Sequence, residues 1–201
     1  MTTTEKSRYY DLTEHSAVRD DLRFAVTCVA KHGVVIDCGC GAGADIAYLR
    51  AQGFTVHAFD IEPEAIARCQ TRFSHDPQVH LSQASFSSFA YPQADLIVAD
   101  ASLFFCPVAE FDRVWERLTG ALLPDGLFCG SFVGPEDTMA SEHYSRDAYW
   151  PEVLVLDERQ IKHKLLGFDI LRWQEHRVSG ETANGEPHHW HIFSMVARKS
   201  N

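Results

Sequence analysis

The chain has 201 residues, of which 45% are hydrophobic and 23% are charged, a composition typical of one globular domain with a substantial core. Its formal net charge of −10 at pH 7 argues against nucleic acid or an anionic membrane as a partner, since both bind basic surfaces. The N-terminal residues lack the apolar segment of a secretory signal and no apolar run could span a bilayer, so we expect a cytoplasmic protein with reduced cysteines.

The first half of the chain alternates short β-branched runs with segments of helical periodicity, which is typical of a parallel α/β sheet. A buried strand runs into three glycines, and the helix that follows is expected to end at Gly53. A second helix is expected to begin at Pro63, which suits a first helical turn. The four predicted strands lie at 33–39, 55–60, 78–85 and 94–101.

The second half predicts an amphipathic helix, a further strand at 127–133, a helix at 156–167, and strands at 168–178 and 188–199. The last two strands are joined through Asn184-Gly185, a pair that favours a turn, and we expect an antiparallel hairpin at the sheet edge. The apolar face of the amphipathic helix is predicted to consist of Val108, Phe111, Val114, Trp115, Leu118 and Leu122.

These elements predict an α/β fold: a Rossmann-like, seven-stranded, mostly parallel sheet with helices on both faces and an antiparallel C-terminal hairpin. No repeat, low-complexity tract or Pro/Ser-rich linker marks a boundary, so we expect a single domain over residues 1–201. Within it, residues 1–30 form an N-terminal helical segment. Residues 134–152 are irregular and rich in Gly, Pro and charge, and they are a candidate lid or a plain surface loop.

The glycine turn after the first strand is compatible with two classes of ligand. Gly39, Gly41 and Ala44 fit the G-x-G-x-x-A spacing of dinucleotide-binding turns, and Asp60 lies at the distance of a ribose-binding acid. An NAD(P)-dependent oxidoreductase is therefore one interpretation. Asp37 argues against it, because this acid ends the strand where a pyrophosphate would lie and would repel it.

The other ligand class is S-adenosylmethionine, which has no phosphate and carries an ammonium and a sulfonium. Asp37 would then hold the ammonium, directly or through water, and the glycines would let the backbone approach the amino-acid part. Asp60 can accept both ribose hydroxyls through its two oxygens. We favour this interpretation, either as an enzyme or as a non-catalytic binding protein.

The segments "VIDCGCGAG", "FDIEPEAI", "ADLIVADASLFF" and "LTGALLPDGLFCGSF" resemble the motifs of class I S-adenosylmethionine-dependent methyltransferases. The resemblance extends over about residues 30–200 and is nearest to the small tellurite-resistance and thiopurine methyltransferase group. It implies methyl transfer to a small-molecule acceptor, with a thiol or another chalcogen centre as a candidate. The residues that it implies for the cofactor are Asp37, Gly39, Cys40, Gly41, Gly43, Asp60, Ile61, Gln83, Ala84, Ser85, Phe86 and Asp100.

The chain departs from the family after the third strand, where an acid often accepts the adenine N6 hydrogens. This chain has "LSQASF" there, so Gln83, Ser85 or a backbone carbonyl must accept that bond. Cys40 occupies a position where the family commonly has cysteine, and we expect it to pack rather than to act as a ligand or nucleophile.

The acceptor is expected above the end of the fourth strand. No catalytic residue is assigned, because methyl transfer from a sulfonium needs little beyond alignment and needs a base only for a protonated, weakly acidic nucleophile. The Asn-Pro-Pro-Tyr type of motif found in amide and nucleobase methyltransferases is absent. The candidate acceptor residues, for each of which core packing or a plain surface role is an alternative, are Ser102, Phe104, Phe105, Tyr10 and His143.

Three histidines, His188, His189 and His191, lie in the last predicted strand. His189 and His191 share a face and could bind a metal or an oxyanion. No pattern supplies a third ligand, so we predict no metal site and expect solvated histidines at a sheet edge.

Overall fold

The computed structural model describes residues 3–30, 32–144, 152–182 and 185–200, with side chains from residue 6 onward. It contains six α-helices and seven strands within these ranges. The helices are α1 Thr3–Thr13, α2 Asp20–Cys28, α3 Ala44–Ala51, α4 Pro63–Arg72, α5 Phe111–Ala121 and α6 Glu158–Lys164. The strands are β1 Val34–Cys38, β2 Thr55–Asp60, β3 Val79–Gln83, β4 Ala94–Ala99, β5 Leu122–Val133, β6 Phe168–Glu181 and β7 Pro187–Lys199.

The strands form one sheet in the order β3-β2-β1-β4-β5-β7-β6. The first five strands are parallel, whereas β7 pairs antiparallel with both β5 and β6. The predicted fold class, including the antiparallel C-terminal hairpin, is therefore confirmed. Of the predicted hairpin turn, Asn184 lies outside the described residues, and Gly185 has a φ of 84°. Among the described residues, no helix is long and apolar enough to cross a membrane.

Helices cover both faces of the sheet, and this explains the continuous apolar runs of the central strands. Val35 and Ile36 are adjacent in β1 and both are fully buried, but they point to opposite faces. Val35 packs in the cluster that contains Leu22 of α2 and Leu49 of α3. Ile36 packs in the opposite cluster, which α5 and α6 supply.

Trp115 joins α5 to its neighbours on the second face. Its indole Nε1 donates to the backbone carbonyl of Lys164 at 3.2 Å, which ties α5 to α6. Its ring meets Phe128 edge-on, with the ring centroids 5.0 Å apart. This packing fixes the position of β5 below the helix and therefore the level at which β5 ends.

The prediction that Val108 lies on the buried face of the amphipathic helix is wrong. Helix α5 begins at Phe111, and Val108 lies in a short 3-10 turn before it, with 54% of its surface exposed. The Val108 amide donates to the side chain of Glu152 at 3.0 Å, so the segment is held outside the helix. Leu122, at the other end, is buried as the first residue of β5.

The expectation of solvated edge histidines is wrong for His191, of which only 2% is exposed. The reason is the strand order, in which β6 covers β7 and forms the edge. His191 Nδ1 accepts the Glu136 amide at 3.0 Å, and its Nε2 lies 2.9 Å from Glu175 Oε1. Buried Asp137 accepts the His191 amide and contacts His188 Nε2 at 3.0 Å.

These bonds attach the start of the predicted lid, residues 134–137, to β7. The rest of the candidate lid includes residues 145–151, which lie outside the described residues. His189 is bonded locally, with its Nδ1 2.8 Å from Ser179 Oγ on β6. In the part of the chain that the structure describes, no group of three His, Cys, Asp or Glu residues could hold a metal ion.

We predict different costs for the same truncation at Val114 and Val108. Val114 is 1% exposed, so Val114→Ala should lower the free energy of unfolding by about 2 kcal/mol through lost burial and a residual cavity. Val108→Ala is the matched control and should change it by less than about 0.5 kcal/mol. Urea unfolding measures both, and equal losses would contradict the helix boundary described above.

Candidate functional site

The glycine turn leaves β1 where the strand order reverses, since β1 lies between β2 and β4. Such a switch point leaves a crevice at the carboxyl ends of the strands, where ligands bind in α/β sheets. The Gly39 and Cys40 amides both donate to the carbonyl of Phe59, at 2.8 and 3.0 Å, and the Gly43 amide donates to Cys40 at 3.0 Å. The turn is therefore fastened to the end of β2.

Two glycines of this turn have different reasons for lacking a side chain. Gly39 has a φ of 73°, and a Cβ there would lie 2.6 Å from the Cβ of Ser102, so internal packing requires glycine. Gly41 has a φ of 51°, and a Cβ there would meet nothing within 4 Å. Gly41 therefore borders open space in which a ligand can approach the backbone.

Asp60, the last residue of β2, holds the turn in place. Its Oδ2 accepts the Gly41 amide and its Oδ1 accepts the Glu62 amide, each at 2.9 Å. Burial raises the pKa of Asp60, and the amide hydrogen bonds oppose that rise. A carboxylate offers about four acceptor positions. Each oxygen of Asp60 therefore keeps capacity for one further donor.

Asp37 has no such role. It is 4% exposed, and its Oδ2 is buried without a hydrogen-bond partner among the residues that the structure describes. The turn amides of Gly39, Cys40, Gly41 and Gly43 are bound elsewhere. Burial, followed by the charge of Asp45, raises the pKa of Asp37 well above its usual range. A buried carboxylate without a partner is costly, and a cationic ligand would offset that cost.

Two residues that the sequence analysis missed complete the charge pattern. The pKa of Asp45, in the first turn of α3, is raised to about 6, chiefly by burial and then by the charge of Asp100, while Arg19 opposes the rise. Arg19 forms a two-point ion pair with Asp100, with N–O distances of 3.0 and 3.1 Å. We call the set of Asp37, Asp45, Asp60 and Asp100 the acidic cluster.

Sequence reasoning had no signal for this arrangement. Asp45 lies in the first turn of α3, where an acid ordinarily stabilises the helix N-terminus. Arg19 directly precedes α2, and nothing in its position along the chain indicates a ligand site. Only the packing of α2 and α3 against the sheet brings Arg19 and Asp45 near the end of β4.

The residues predicted to flank adenine lie together next to the turn. Asp60 pairs with Gln83 in the register of β2 and β3, and the Ala84 amide donates to the carbonyl of Asp60 at 3.0 Å. Ile61 presents a half-exposed apolar side chain. Gln83 Nε2 lies 3.5 Å from the carbonyl of Ile61, which leaves its Oε1 available as an acceptor.

The two other residues of this segment have structural contacts. Phe86 meets Phe59 edge-on, with the ring centroids 5.3 Å apart. Ser85 is exposed, and its hydroxyl lies 3.1 Å from Ser88 Oγ. Phe86 therefore packs against the end of β2, whereas Ser85 shapes the turn after β3.

A cavity of about 600 Å³ lies beside the acidic cluster, between α2 and the strands β5, β7 and β6. Arg19 and Ala101 are part of its wall, so it adjoins the crevice at the end of β4. Its size is in the range of small-molecule sites. The other lining residues that matter here are the apolar Phe104, Met139 and Trp190 and the polar Ser131, Gln174, His176 and Ser194.

Among the predicted acceptor residues, Phe104 lines this cavity. Ser102 is 7% exposed, and its hydroxyl donates to the carbonyl of Cys38 at 2.6 Å, so it braces the end of β1. Phe105 packs against the core on the α5 side of the sheet. His143 is exposed and is not among the described residues that line the cavity.

Tyr10 lies beside the glycine turn instead. It is 6% exposed and packs in a small cluster with Ala42 of the glycine turn and Ala65 of α4. Ion pairs of α1 with the start of α4, such as Lys6–Glu62 at 2.5 Å, hold the helix there. Cys40 is 8% exposed and packs in the core below the turn.

No pattern in the sequence indicated that Gln174, His176 and Trp190 would line a cavity. They lie on β6 and β7, which read as an ordinary hairpin. Their proximity to Phe104 depends on β7 pairing with β5, a contact between segments distant in the sequence.

A family model described as a methyltransferase domain matches residues 35–126. No curated protein sequence matches the chain. TehB from Haemophilus influenzae is similar in structure, with a TM-score of 0.75 at 17% sequence identity over 97% of this chain and 67% of that one.

Two further solved structures are similar. The 1,6-didemethyltoxoflavin-N1-methyltransferase of Burkholderia thailandensis, solved with 1,6-didemethyltoxoflavin and S-adenosylhomocysteine, has a TM-score of 0.63 at 20% identity over 98% of this chain and 89% of that one. The N-methyltransferase NodS of Bradyrhizobium japonicum has a TM-score of 0.66 at 16% identity over 96% and 98% of the two chains. The family model identifies residues 35–126 as a methyltransferase domain, and the three solved structures share the fold of the chain.

Proposed function

We propose that the protein transfers the methyl group of S-adenosylmethionine to a small organic acceptor bound in the cavity beside the acidic cluster, with thiols as the first class to test. The observation that carries this proposal is Asp37, a buried carboxylate with an unpartnered oxygen at the glycine turn. The open space at Gly41 supports it, because a ligand can contact the backbone there.

The residues present fit the cofactor. Asp37 would hold the ammonium, and the free acceptor positions of Asp60 would take the ribose hydroxyls. Ile61 would lie against the adenine, and Gln83 Oε1 would accept from its N6. Tyr10 would cover the ligand from α1.

The charge pattern argues against both an NAD(P) ligand and an oxyanion acceptor. The acidic cluster would repel a pyrophosphate at the turn, since like charges a few ångströms apart are costly in a partly buried site. Asp20 and Asp21 border the acceptor cavity. The guanidinium of Arg19 also lines it but is already paired with Asp100. A neutral acceptor suits these walls better than selenite or tellurite. The similar structure that holds 1,6-didemethyltoxoflavin supports the small-molecule class.

When bound, the cofactor would supply an electrophilic methyl group on a sulfonium that leaves as a neutral thioether. The chain contributes alignment, which can supply about 7–11 kcal/mol of the barrier. Trp190, Met139 and Phe104 exclude water from the acceptor, and the polar residues of the cavity orient it. For an acceptor that arrives protonated, His176 is positioned to take the proton, since it lines the cavity with Nε2 3.1 Å from Ser194 Oγ.

The function is tested by labelled methyl transfer from S-adenosylmethionine to a panel of thiols, amines, carboxylates, selenite and tellurite. We expect product with an organic acceptor and none with the oxyanions. Trp190→Ala should lower turnover without changing cofactor affinity, because the residue lines the acceptor cavity and is not one of the residues proposed to bind the cofactor. Calorimetry should show S-adenosylmethionine binding and no NADH binding. Tight NADH binding would overturn the cofactor assignment, and binding without any methylated product would favour the non-catalytic alternative.

The charge of Asp37 is tested by comparing S-adenosylmethionine with adenosine, which lacks the ammonium. Asp37→Asn should weaken S-adenosylmethionine binding by about 1–3 kcal/mol and leave adenosine binding unchanged. Asp60→Ala should weaken the binding of both ligands by about 1–3 kcal/mol, since both carry the ribose. Titration calorimetry on the two variants gives four affinities. Equal losses for both ligands in Asp37→Asn would show that Asp37 does not bind the ammonium.

The pKa of Asp45, raised to about 6, predicts a pH dependence of cofactor binding. Below that pKa the carboxyl is protonated in the free protein, and a cationic ligand must displace the proton. Affinity should therefore rise by up to about tenfold from pH 5 to pH 7, with protons released on binding. Asp45→Asn should flatten the rise, and Asp112→Asn, which changes an exposed acid in the first turn of α5, should not. Calorimetry in buffers of different ionisation enthalpy measures both quantities, and proton uptake would contradict the assignment.

A further inference from the structure

Arg19 is the one cation that forms a salt bridge with the acidic cluster among the residues that the structure describes. Its guanidinium contacts both oxygens of Asp100, at 3.0 and 3.1 Å. The side chain of Asp100 is 15% exposed, whereas that of Arg19 is 58% exposed. The acid is thus a fixed part of the site, and the arginine approaches it from solvent.

We propose that Arg19 takes the place of the cofactor's positive charge in the ligand-free protein, and that Arg19 and Asp100 together determine how strongly the site prefers S-adenosylmethionine to its demethylated product. The inference rests on the proposed function and goes beyond it, because it assigns the discrimination between cofactor and product to two named residues.

The argument begins with the charges of the two ligands. S-adenosylmethionine carries a sulfonium that S-adenosylhomocysteine lacks, and the two are otherwise alike in their ammonium, carboxylate and ribose. Substituting a residue that binds a shared group changes the affinities for both ligands. Substituting a residue that interacts with the sulfonium charge changes the affinity for S-adenosylmethionine only. Asp100 directly follows β4, next to the strand that carries Asp37, and its charge contributes to the raised pKa of Asp37, so we expect its field to act on the part of the ligand that Asp37 binds.

Arg19 opposes this attraction. While it remains on Asp100, the carboxylate is compensated and attracts a second cation less strongly. Binding of the sulfonium ligand therefore competes with the ion pair. Releasing Arg19 has a small cost, since its guanidinium is more than half exposed and returns to solvent, while the ligand's cation takes its place beside Asp100. The product, which has no sulfonium, does not compete with the ion pair.

The same pair joins the cofactor site to the acceptor cavity. Arg19 and Ala101, the residue after Asp100, both line the cavity. Ala101 has a φ of 51°, unusual for a residue other than glycine, and its amide donates to buried Ser131 Oγ at 2.9 Å. The backbone after Asp100 is thus fixed by β5, so the movable member of the pair is the arginine.

The experiment measures the affinities of S-adenosylmethionine and S-adenosylhomocysteine for four variants by calorimetry, without any acceptor. Arg19→Gln frees Asp100 and should raise the preference for S-adenosylmethionine by about fivefold. Asp100→Asn leaves Arg19 unpaired beside the ligand and should lower that preference by about the same factor. Product affinity should stay within about twofold of the wild-type value in both variants, because the product lacks the charge that they affect.

Two controls separate this effect from general charge and from folding. Arg113→Gln removes an exposed arginine of α5 and should leave the preference unchanged. Arg19→Lys keeps the positive charge and should stay near the wild-type preference. Thermal unfolding of each variant identifies a loss of structure, and opposite shifts of the preference in Arg19→Gln and Asp100→Asn cannot arise from a shared loss of structure.

The outcomes are distinguishable. Equal changes for both ligands in Arg19→Gln, or an unchanged preference, would overturn this inference while leaving the proposed function intact. Failure of the wild-type protein to bind either ligand would overturn the proposed function and the inference with it. Opposite shifts in the two variants would support the assignment.

Discussion

The hydrogen bond from the Gly41 amide to Asp60 is the interaction on which the site depends. It closes the glycine turn against the end of β2 and, with the carbonyl of Phe59, satisfies the backbone donors of the turn. Asp37 is therefore not needed to hold the turn. Its side chain remains available for a cationic ligand, even though it is almost completely buried.

The lack of a hydrogen-bond partner for Asp37 Oδ2 among the described residues has an energetic consequence. A buried carboxylate without a partner costs several kcal/mol, and a protein tolerates it where a ligand will offset the cost. The acidic cluster has this character: burial and the charges of neighbouring acids raise the pKa of Asp37 and of Asp45, and among the described residues Arg19 alone forms a salt bridge with the cluster. The ligand-free state is therefore prepared for a cation. The same field disfavours the phosphates that other glycine turns bind.

The cavity that we propose for the acceptor is built differently. It lies over the antiparallel end of the sheet, where neighbouring strands present Ser131, Ser194 and Gln174 in one row of register. Neutral hydroxyl and amide groups with aromatic walls orient a ligand through shape and hydrogen bonds rather than through charge. In the proposed function, cofactor and acceptor are thus recognised by separate groups of strands, which meet at the end of β4.

The sequence by itself determined the features that follow from local pattern. Apolar runs and glycine positions predicted the strands and the turn, and Asp37 and Asp60 were predicted in the site because each lies at the carboxyl end of a predicted strand. Tertiary structure decided the rest, because it depends on contacts between distant segments. The pairing of β7 with β5 buried His191 and placed Gln174, His176 and Trp190 around a cavity. The docking of α2 and α3 brought an arginine and an aspartate to the cluster, and no local pattern encodes which face of the sheet a helix will meet.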